Sequence, residues 1–246
     1  MSPEFFPLGD TAFIVRFGNA ISVQTHKVLR AYKIKVEKAN VCGVTAVVPA
    51  YTDLMVCYNP MVISFSDLVS ELKKLYNETG QEAIEQSRIV KIPVLYGGEF
   101  GPDIEYVAKH NEISVKEVIR LHSSTKYLIY MLGFTPGFCY LGGLPQEIAT
   151  PRKAVPRKKI TAGSVGIAGM QTGIYPIDSP GGWQLIGRTP VEVFNINRKP
   201  EVLFEAGNYI QFVPVTKHEY DDILYRVHNN TYIPEEELID VDNGES

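Results

Sequence analysis

Apolar and polar positions alternate from Thr11 to Phe17 in a run rich in β-branched and aromatic residues, which predicts a strand. Ser22 then caps a helix whose apolar positions Val28, Leu29, Tyr32 and Val36 recur at helical spacing. Val44 to Val48 and Leu54 to Tyr58 read as two further strands, and a second helix starts near Ser64 with Leu68, Leu72 and Leu75 on one stripe. Asn77 to Gly80 closes that helix, and Ile89 to Leu95 returns to strand. The order β-α-β-β-α-β predicts a small ferredoxin-like α/β domain over residues 1–90.

The texture changes after Tyr96-Gly-Gly-Glu-Phe-Gly-Pro. Short helices fit Asp103 to His110 and Val115 to His122, the second opened by the capping box Ser114-x-x-Glu117. Tyr127 to Leu132 reads as a strand. Between Gly133 and Gly187 lie more than half of the chain's glycines, together with many prolines, so tight turns and close backbone approach are expected. Further short strands fit Ser164 to Ala168, Trp183 to Gly187, Val191 to Phe194, Val202 to Phe204 and Tyr209 to Val213. Many short strands punctuated by glycine and proline predict a closed or nearly closed β-barrel over residues 91–220. The fold class is therefore α+β. Residues 221–246 read as an acidic C-terminal extension, loosely attached from Asn229 onward.

Composition narrows the function classes. A formal net charge of -4 gives no basic face for nucleic acid. No apolar run approaches the roughly 20 residues that a membrane span needs, and the start lacks the pattern of a signal peptide. Three widely spaced cysteines fit neither a disulfide framework nor a zinc site, so a reducing cytoplasm is the expected setting and no metal is expected. No phosphate loop, GxGxxG, HExxH or GxSxG motif is present, so ATP is not expected to be held by this chain alone.

Three glycine-proline segments carry the candidate chemistry. Gly133-Phe-Thr-Pro-Gly-Phe-Cys-Tyr sets Phe134, Pro136, Phe138 and Tyr140 on a stiff loop, either as the wall of an apolar pocket or partner groove, or as filling for the barrel. Thr150-Pro-Arg-Lys-Ala-Val-Pro-Arg holds Arg152 and Arg157 between prolines, where a guanidinium meets a carboxylate or phosphate at low entropic cost; a solvated basic loop is the other reading. Gln171, Thr172, Tyr175 and Gln184 offer neutral hydrogen bonds that suit a small amide-like substrate. His122, at the end of its helix, is either a general base or a residue stabilised by the helix dipole. Trp183 reads as a core anchor.

These segments, in the order Tyr96-Gly-Gly-Glu-Phe-Gly-Pro-Asp, Leu121-His-Ser, Gly133-Phe-x-Pro-Gly-Phe-x-Tyr-Leu-Gly, Thr150-Pro-Arg, Ala162-Gly-Ser-Val-Gly-Ile-Ala-Gly, Gln171-Thr-Gly-Ile-Tyr-Pro and Ser179-Pro-Gly-Gly-Trp, resemble the allophanate hydrolase subunit 1 family. The B subunits of 5-oxoprolinases and the sporulation-kinase inhibitor KipI belong to that family. The resemblance runs from about residue 8 to about residue 215. It implies a cyclophilin-like β-barrel for the second domain, and a shared enzyme in which ATP with Mg drives the opening of 5-oxoproline to L-glutamate. The partners it implies are a C subunit of the allophanate hydrolase subunit 2 type, together with an A subunit of the LamB/YcsF type. His122, Arg152, Gln171 and Tyr175 are then the expected catalytic groups. Phe134, Pro136, Phe138, Tyr140, Arg157, Thr172 and Gln184 are the expected substrate- or partner-binding groups. Alternatively the same apolar loop grips a sensor histidine kinase and blocks its autophosphorylation, or the chain is a component of a urea or amide carboxylase. Cys139 stands where many relatives carry proline.

Overall fold

The computed structural model describes residues 3–77 and 86–239, which form two compact units, one ending at Gln86 and one spanning Ser87–Ile239. The first unit contains β1 (Glu4–Pro7), β2 (Ala12–Arg16), α1 (Val23–Ala39), β3 (Val44–Pro49), β4 (Asp53–Tyr58) and α2 (Phe65–Asn77). Ser22 caps α1 by accepting the Thr25 amide at 3.0 Å, and Asn40, at φ 45°, ends it in the left-handed conformation that asparagine tolerates. The buried stripe of α1 is His26, Leu29, Tyr32 and Val36, whereas Val28 faces outward. Phe13, Val15, Leu54 and Val56 point from the sheet toward the helices, and Leu68 and Leu72 of α2 complete the core. Each such buried side chain contributes about 1.5–3 kcal/mol. The Tyr32 hydroxyl donates to the Leu72 carbonyl at 2.7 Å, so the two helices are joined by a satisfied polar contact inside an apolar core.

The four-stranded antiparallel sheet has the order β1-β2-β4-β3. The expected β-α-β-β-α-β domain is corrected here. The strand after α2 belongs to the second unit, and the place beside β2 is taken by β1, whose Phe5 pairs with Val15 and packs on the same core. The expected closure of α2 beyond Asn77 lies outside the described residues.

The second unit comprises β5 (Ser87–Tyr96), α3 (Ile104–His110), α4 (Val115–Ser124), β6 (Lys126–Leu132), β7 (Cys139–Gly142), β8 (Arg157–Ile160), β9 (Ser164–Ala168), β10 (Gln171–Ile174), β11 (Ser179–Gly181), β12 (Gln184–Arg188), β13 (Tyr209–Pro214), α5 (Lys217–His228) and β14 (Glu236–Ile239). Its large sheet runs β10-β9-β12-β5-β13-β6-β7, with β5 and β13 parallel and β14 added to β5. The sheet curls until its end strands meet: a Cβ built on Gly173 of β10 stands 3.3 Å from the Cys139 carbonyl of β7. The result is a nearly closed barrel filled by Ile92, Val94, Ile129, Val165, Ile167, Ile186, Ile210 and Phe212. A two-stranded ribbon, β11-β8, stands beside it.

Two expectations change in this unit. Val191 to Phe194 and Val202 to Phe204 form only an isolated bridge between Phe194 and Val202, since Pro190 and Pro200 each remove a ladder donor near the segments. The tail forms regular elements through residue 239. Thr216 and Glu219 make a reciprocal capping box that starts α5, and Glu236–Ile239 then pairs with β5. At α4 only half of the expected box forms: Ser114 accepts the Glu117 amide, while the Glu117 side chain turns to Arg120. No helix among the described residues is long and apolar enough to cross a membrane.

Candidate functional site: an aromatic patch and its basic loop

The hairpin between β6 and β7 is closed by the Gly133 amide on the Phe138 carbonyl at 3.0 Å. Inside it the Phe138 amide donates to the Thr135 carbonyl at 3.0 Å across Pro136 and Gly137, with Gly137 at φ 81°, the pattern of a type II turn. A side chain at Gly137 has no room either, since its Cβ would stand 2.8 Å from that of Phe194. Phe134 is itself left-handed at φ 64° and 69% exposed. A large aromatic held in that conformation with its ring in solvent opposes both backbone preference and burial.

Behind Phe134 the rings close ranks. Phe138 meets Phe134, Tyr140, Tyr175 and Trp183 edge-on at centroid distances of 5.7, 5.1, 6.0 and 5.7 Å. Phe138, Tyr175 and Trp183 are buried in a cluster separate from the barrel core, whereas Tyr140 is half-buried and Pro136 exposed. The expected wall is therefore mostly packed on itself, and it opens to solvent at Phe134, Pro136 and Tyr140. Gly181 passes directly over the Tyr175 hydroxyl, where a Cβ would stand 2.4 Å away.

The loop between Thr150 and β8 is fastened to this patch. The Gln184 amide group donates to the Pro151 carbonyl at 2.9 Å, and the Lys153 backbone amide donates to the Gly182 carbonyl at 2.7 Å. The Asp103 carboxylate, almost fully buried, accepts from Arg157 at 2.8 Å, from Lys153 at 3.3 Å and from the Leu185 amide at 2.7 Å. Burial alone raises the pKa of this carboxyl, but Arg157, the Leu185 amide and Lys153 together outweigh burial and hold it below the ordinary value. Arg157 also approaches the Trp183 carbonyl at 3.4 Å. Arg152 is exposed, and among the described residues it makes no ion pair. Burial raises the Tyr175 pKa, and the charges of Arg152 and Arg157 act on the same hydroxyl in the opposite direction.

His122 lies elsewhere. It is fully buried, stacked on Phe212 at 4.5 Å, with Nδ1 2.7 Å from the Tyr96 hydroxyl and Nε2 2.8 Å from Thr172 Oγ1. Thr172 gives its proton to the Gly166 carbonyl at 3.0 Å, so it accepts from His122. The imidazole is consequently neutral with its proton on Nε2, and Tyr96 donates to Nδ1. Burial drives the His122 pKa down to about 3 and the Tyr96 pKa far up. Expected among the catalytic and binding groups, His122 and Thr172 are placed by the structure in a closed hydrogen-bond chain inside the barrel, out of reach of solvent.

Of the remaining expected residues, Gln171 is half-buried at the start of β10, opposite Ala168 of the aromatic cluster. Arg152, Arg157, Tyr175, Gln184, Phe134, Phe138 and Tyr140 come together. Asp103, which organises the basic loop, escapes the sequence reading, although it ends the Tyr96-Gly-Gly-Glu-Phe-Gly-Pro-Asp motif. Cys139 is buried, and its thiol is pushed up to about 12 by burial, which makes it a poor nucleophile. Among the described residues no group of three His, Cys, Asp or Glu is placed to hold a metal ion.

Residues 3–204 match the family described as carboxyltransferase domain, subdomain C and D. The chain is 44% identical over 223 residues to a Bacillus subtilis protein named as the B subunit of 5-oxoprolinase, covering 87% of this chain and 93% of that one. The solved structure of TTHA0988 superposes with a TM-score of 0.74 at 36% identity, covering 83% of this chain. This chain spans only 40% of the length of TTHA0988. The urea carboxylase of Kluyveromyces lactis gives a TM-score of 0.78 at 20% identity over 96% of this chain and 24% of its own, a likeness of fold alone. The chain belongs to the carboxyltransferase domain, subdomain C and D, family.

Proposed function

We propose that this chain is the B subunit of a 5-oxoprolinase, contributing half of a site that opens 5-oxoproline to L-glutamate. One observation carries the reading: the 44% identity to the B subunit of a 5-oxoprolinase extends over 93% of that relative, so the likeness is to the whole polypeptide rather than to a shared fragment. The geometry supports an incomplete site. Among the described residues Phe134 and Pro136 stay exposed and Tyr140 half-buried along an apolar rim, and Arg152, exposed on the neighbouring loop, is a cation available for a carboxylate.

ATP, with Mg, belongs to the assembled enzyme in this reading, and the fit to this chain is poor. The glycine-rich Gly163–Gly169 stretch holds strand β9, paired by β10 on one side and β12 on the other, and the Gly163 and Gly169 amides donate to the Tyr175 and Thr150 carbonyls, so its amides serve the fold rather than a phosphate. The same proposal gives the nucleotide step to the other chains of the enzyme, a C subunit of the allophanate hydrolase subunit 2 type together with an A subunit of the LamB/YcsF type. The same reading takes the second unit as cyclophilin-like and the first as a ferredoxin-like layer in which β1 replaces the last strand.

The test is reconstitution of this chain with its A and C partners, ATP and 5-oxoproline, with glutamate release as the readout. Glutamate from the full set, and none without this chain, is the expected result. No glutamate under conditions where a known 5-oxoprolinase works overturns the proposal. The exposed Phe134 tip also suits the kinase-inhibitor alternative, and an autophosphorylation assay with the cognate sensor histidine kinase separates the two.

A further inference from the structure

We propose that the Ser87–Val90 edge of β5 is a strand-addition site for an acidic extended segment of a partner protein, and that β14 fills it in cis. β5 is ten residues long, with β13 along one side from Ile89 to Val94. On the other side β12 pairs only with Leu95 and Tyr96. Ser87 to Val94 therefore have no β12 partner, β14 lies along the first four of them, and a sheet edge left uncovered recruits strands. β14 covers it in antiparallel register, Glu236 opposite Val90 and Ile239 opposite Ser87, and the Lys91 amide donates to the Glu235 carbonyl at 2.9 Å.

Charge selects what lies on this edge. Arg88 reaches Glu236 at 3.3 Å and Glu205 at 3.6 Å, and Lys91 pairs with Glu235. The occupant carries three consecutive carboxylates, Glu235 to Glu237, against an edge that offers two cations. Two copies of the edge laid together would bring Arg88 and Lys91 of each against like charge, which disfavours self-pairing and favours an acidic strand.

The cover is lightly held. Glu236, Glu237 and Leu238 are exposed, with Leu238 at 64%, so β14 buries little apolar surface and depends on main-chain hydrogen bonds and solvent-screened ion pairs. Residues 229–235, between α5 and β14, form neither helix nor strand, which leaves the strap a tether. The family match ends at residue 204, so the edge lies within the family unit whereas the strap lies beyond it. Main-chain pairing would provide affinity and the two cations selectivity, the mode of strand-addition recognition.

The test uses the full chain and its double variant Glu235→Lys, Glu236→Lys, which sets β14 against Arg88 and Lys91. The probe is a labelled peptide with the sequence of residues 233–239. The Lys91 amide is expected to exchange at least about tenfold faster in the variant, and the variant is expected to bind the peptide at least about tenfold more tightly than the unmodified chain. Binding should weaken as salt rises from ~20 to ~300 mM, and a peptide with the three glutamates replaced by glutamine should bind at least about tenfold less tightly. A released Lys91 amide with no gain in peptide binding overturns the proposal. So does equal binding of the glutamine peptide, or a Lys91 amide as protected in the variant as in the unmodified chain.

Discussion

Arg157 donates to the Asp103 carboxylate at 2.8 Å across 54 positions of the chain, and this pair decides which cation of the 151–157 loop is left for a ligand. Arg157 and Lys153 are both committed to Asp103, so Arg152 is the guanidinium of this loop that remains exposed.

Replacing Asp103 with asparagine removes the charge that Arg157 and Lys153 share and leaves them partly buried. The variant should lose about 2–4 kcal/mol at pH 7 in urea unfolding followed by Trp183 fluorescence. Trp183 is the only tryptophan and lies beside Arg157, so the probe reports on the affected unit. The folded carboxyl titrates below the ordinary value near 3.8. Its contribution is therefore complete above about pH 4 and disappears as pH falls through the folded pKa, so the difference between the two proteins should shrink at lower pH.

Arg152→Ala, in contrast, should change stability by less than about 0.5 kcal/mol, as expected for an exposed side chain. On the proposed function, it should raise KM for 5-oxoproline in the reconstituted enzyme at least about tenfold. Steady-state kinetics check this. An unchanged KM would remove Arg152 as the clamp.

His122 gives a distinct acid signature. Unfolded, it takes up a proton below about pH 6.5, but in the folded barrel it stays neutral down to about pH 3. The unfolded state binds the extra proton throughout that window, so this residue alone should cost about 1.4 kcal/mol of stability per pH unit as pH falls. His122→Gln should be less stable at pH 7, yet show a slope shallower by about one proton in the dependence of unfolding free energy on pH.

Phe134 separates display from packing. Its left-handed backbone costs about 1–2 kcal/mol that glycine does not, and its exposed ring returns little. Phe134→Gly should therefore leave the isolated chain as stable as before, or raise its stability by up to about 1 kcal/mol. If the proposed C subunit of the allophanate hydrolase subunit 2 type is the partner, the same change should weaken binding to it at least about tenfold, measured by titration calorimetry.

Local periodicity makes most elements legible, because strands and helices such as Leu54 to Tyr58 and Val115 to His122 carry their own pattern. β1 is not, since Phe5 and Phe6 between Pro3 and Pro7 are too few to show alternation, and only pairing with β2 makes them a strand. Without β1, the sequence pattern assigns the strand after α2 to the wrong sheet. α5 has a readable signal in Thr216-x-x-Glu219, whereas β14 is an acidic run that becomes a strand only against Arg88 and Lys91. At the site, residue types are legible and environments are not. His122 has the chemistry of a base, but Tyr96, 26 residues earlier, and Thr172, 50 later, occupy both of its nitrogens. Asp103 is visible in its motif, but its partner Arg157 can be identified only in three dimensions.

The central claim is that the Phe134 tip and the basic loop face another polypeptide. Hydrogen exchange on this chain, alone and with the proposed C subunit, tests it most directly. Added protection in residues 133–140 and 150–157 is the expected result. A stable complex that leaves both segments exchanging as in the isolated chain would contradict the claim.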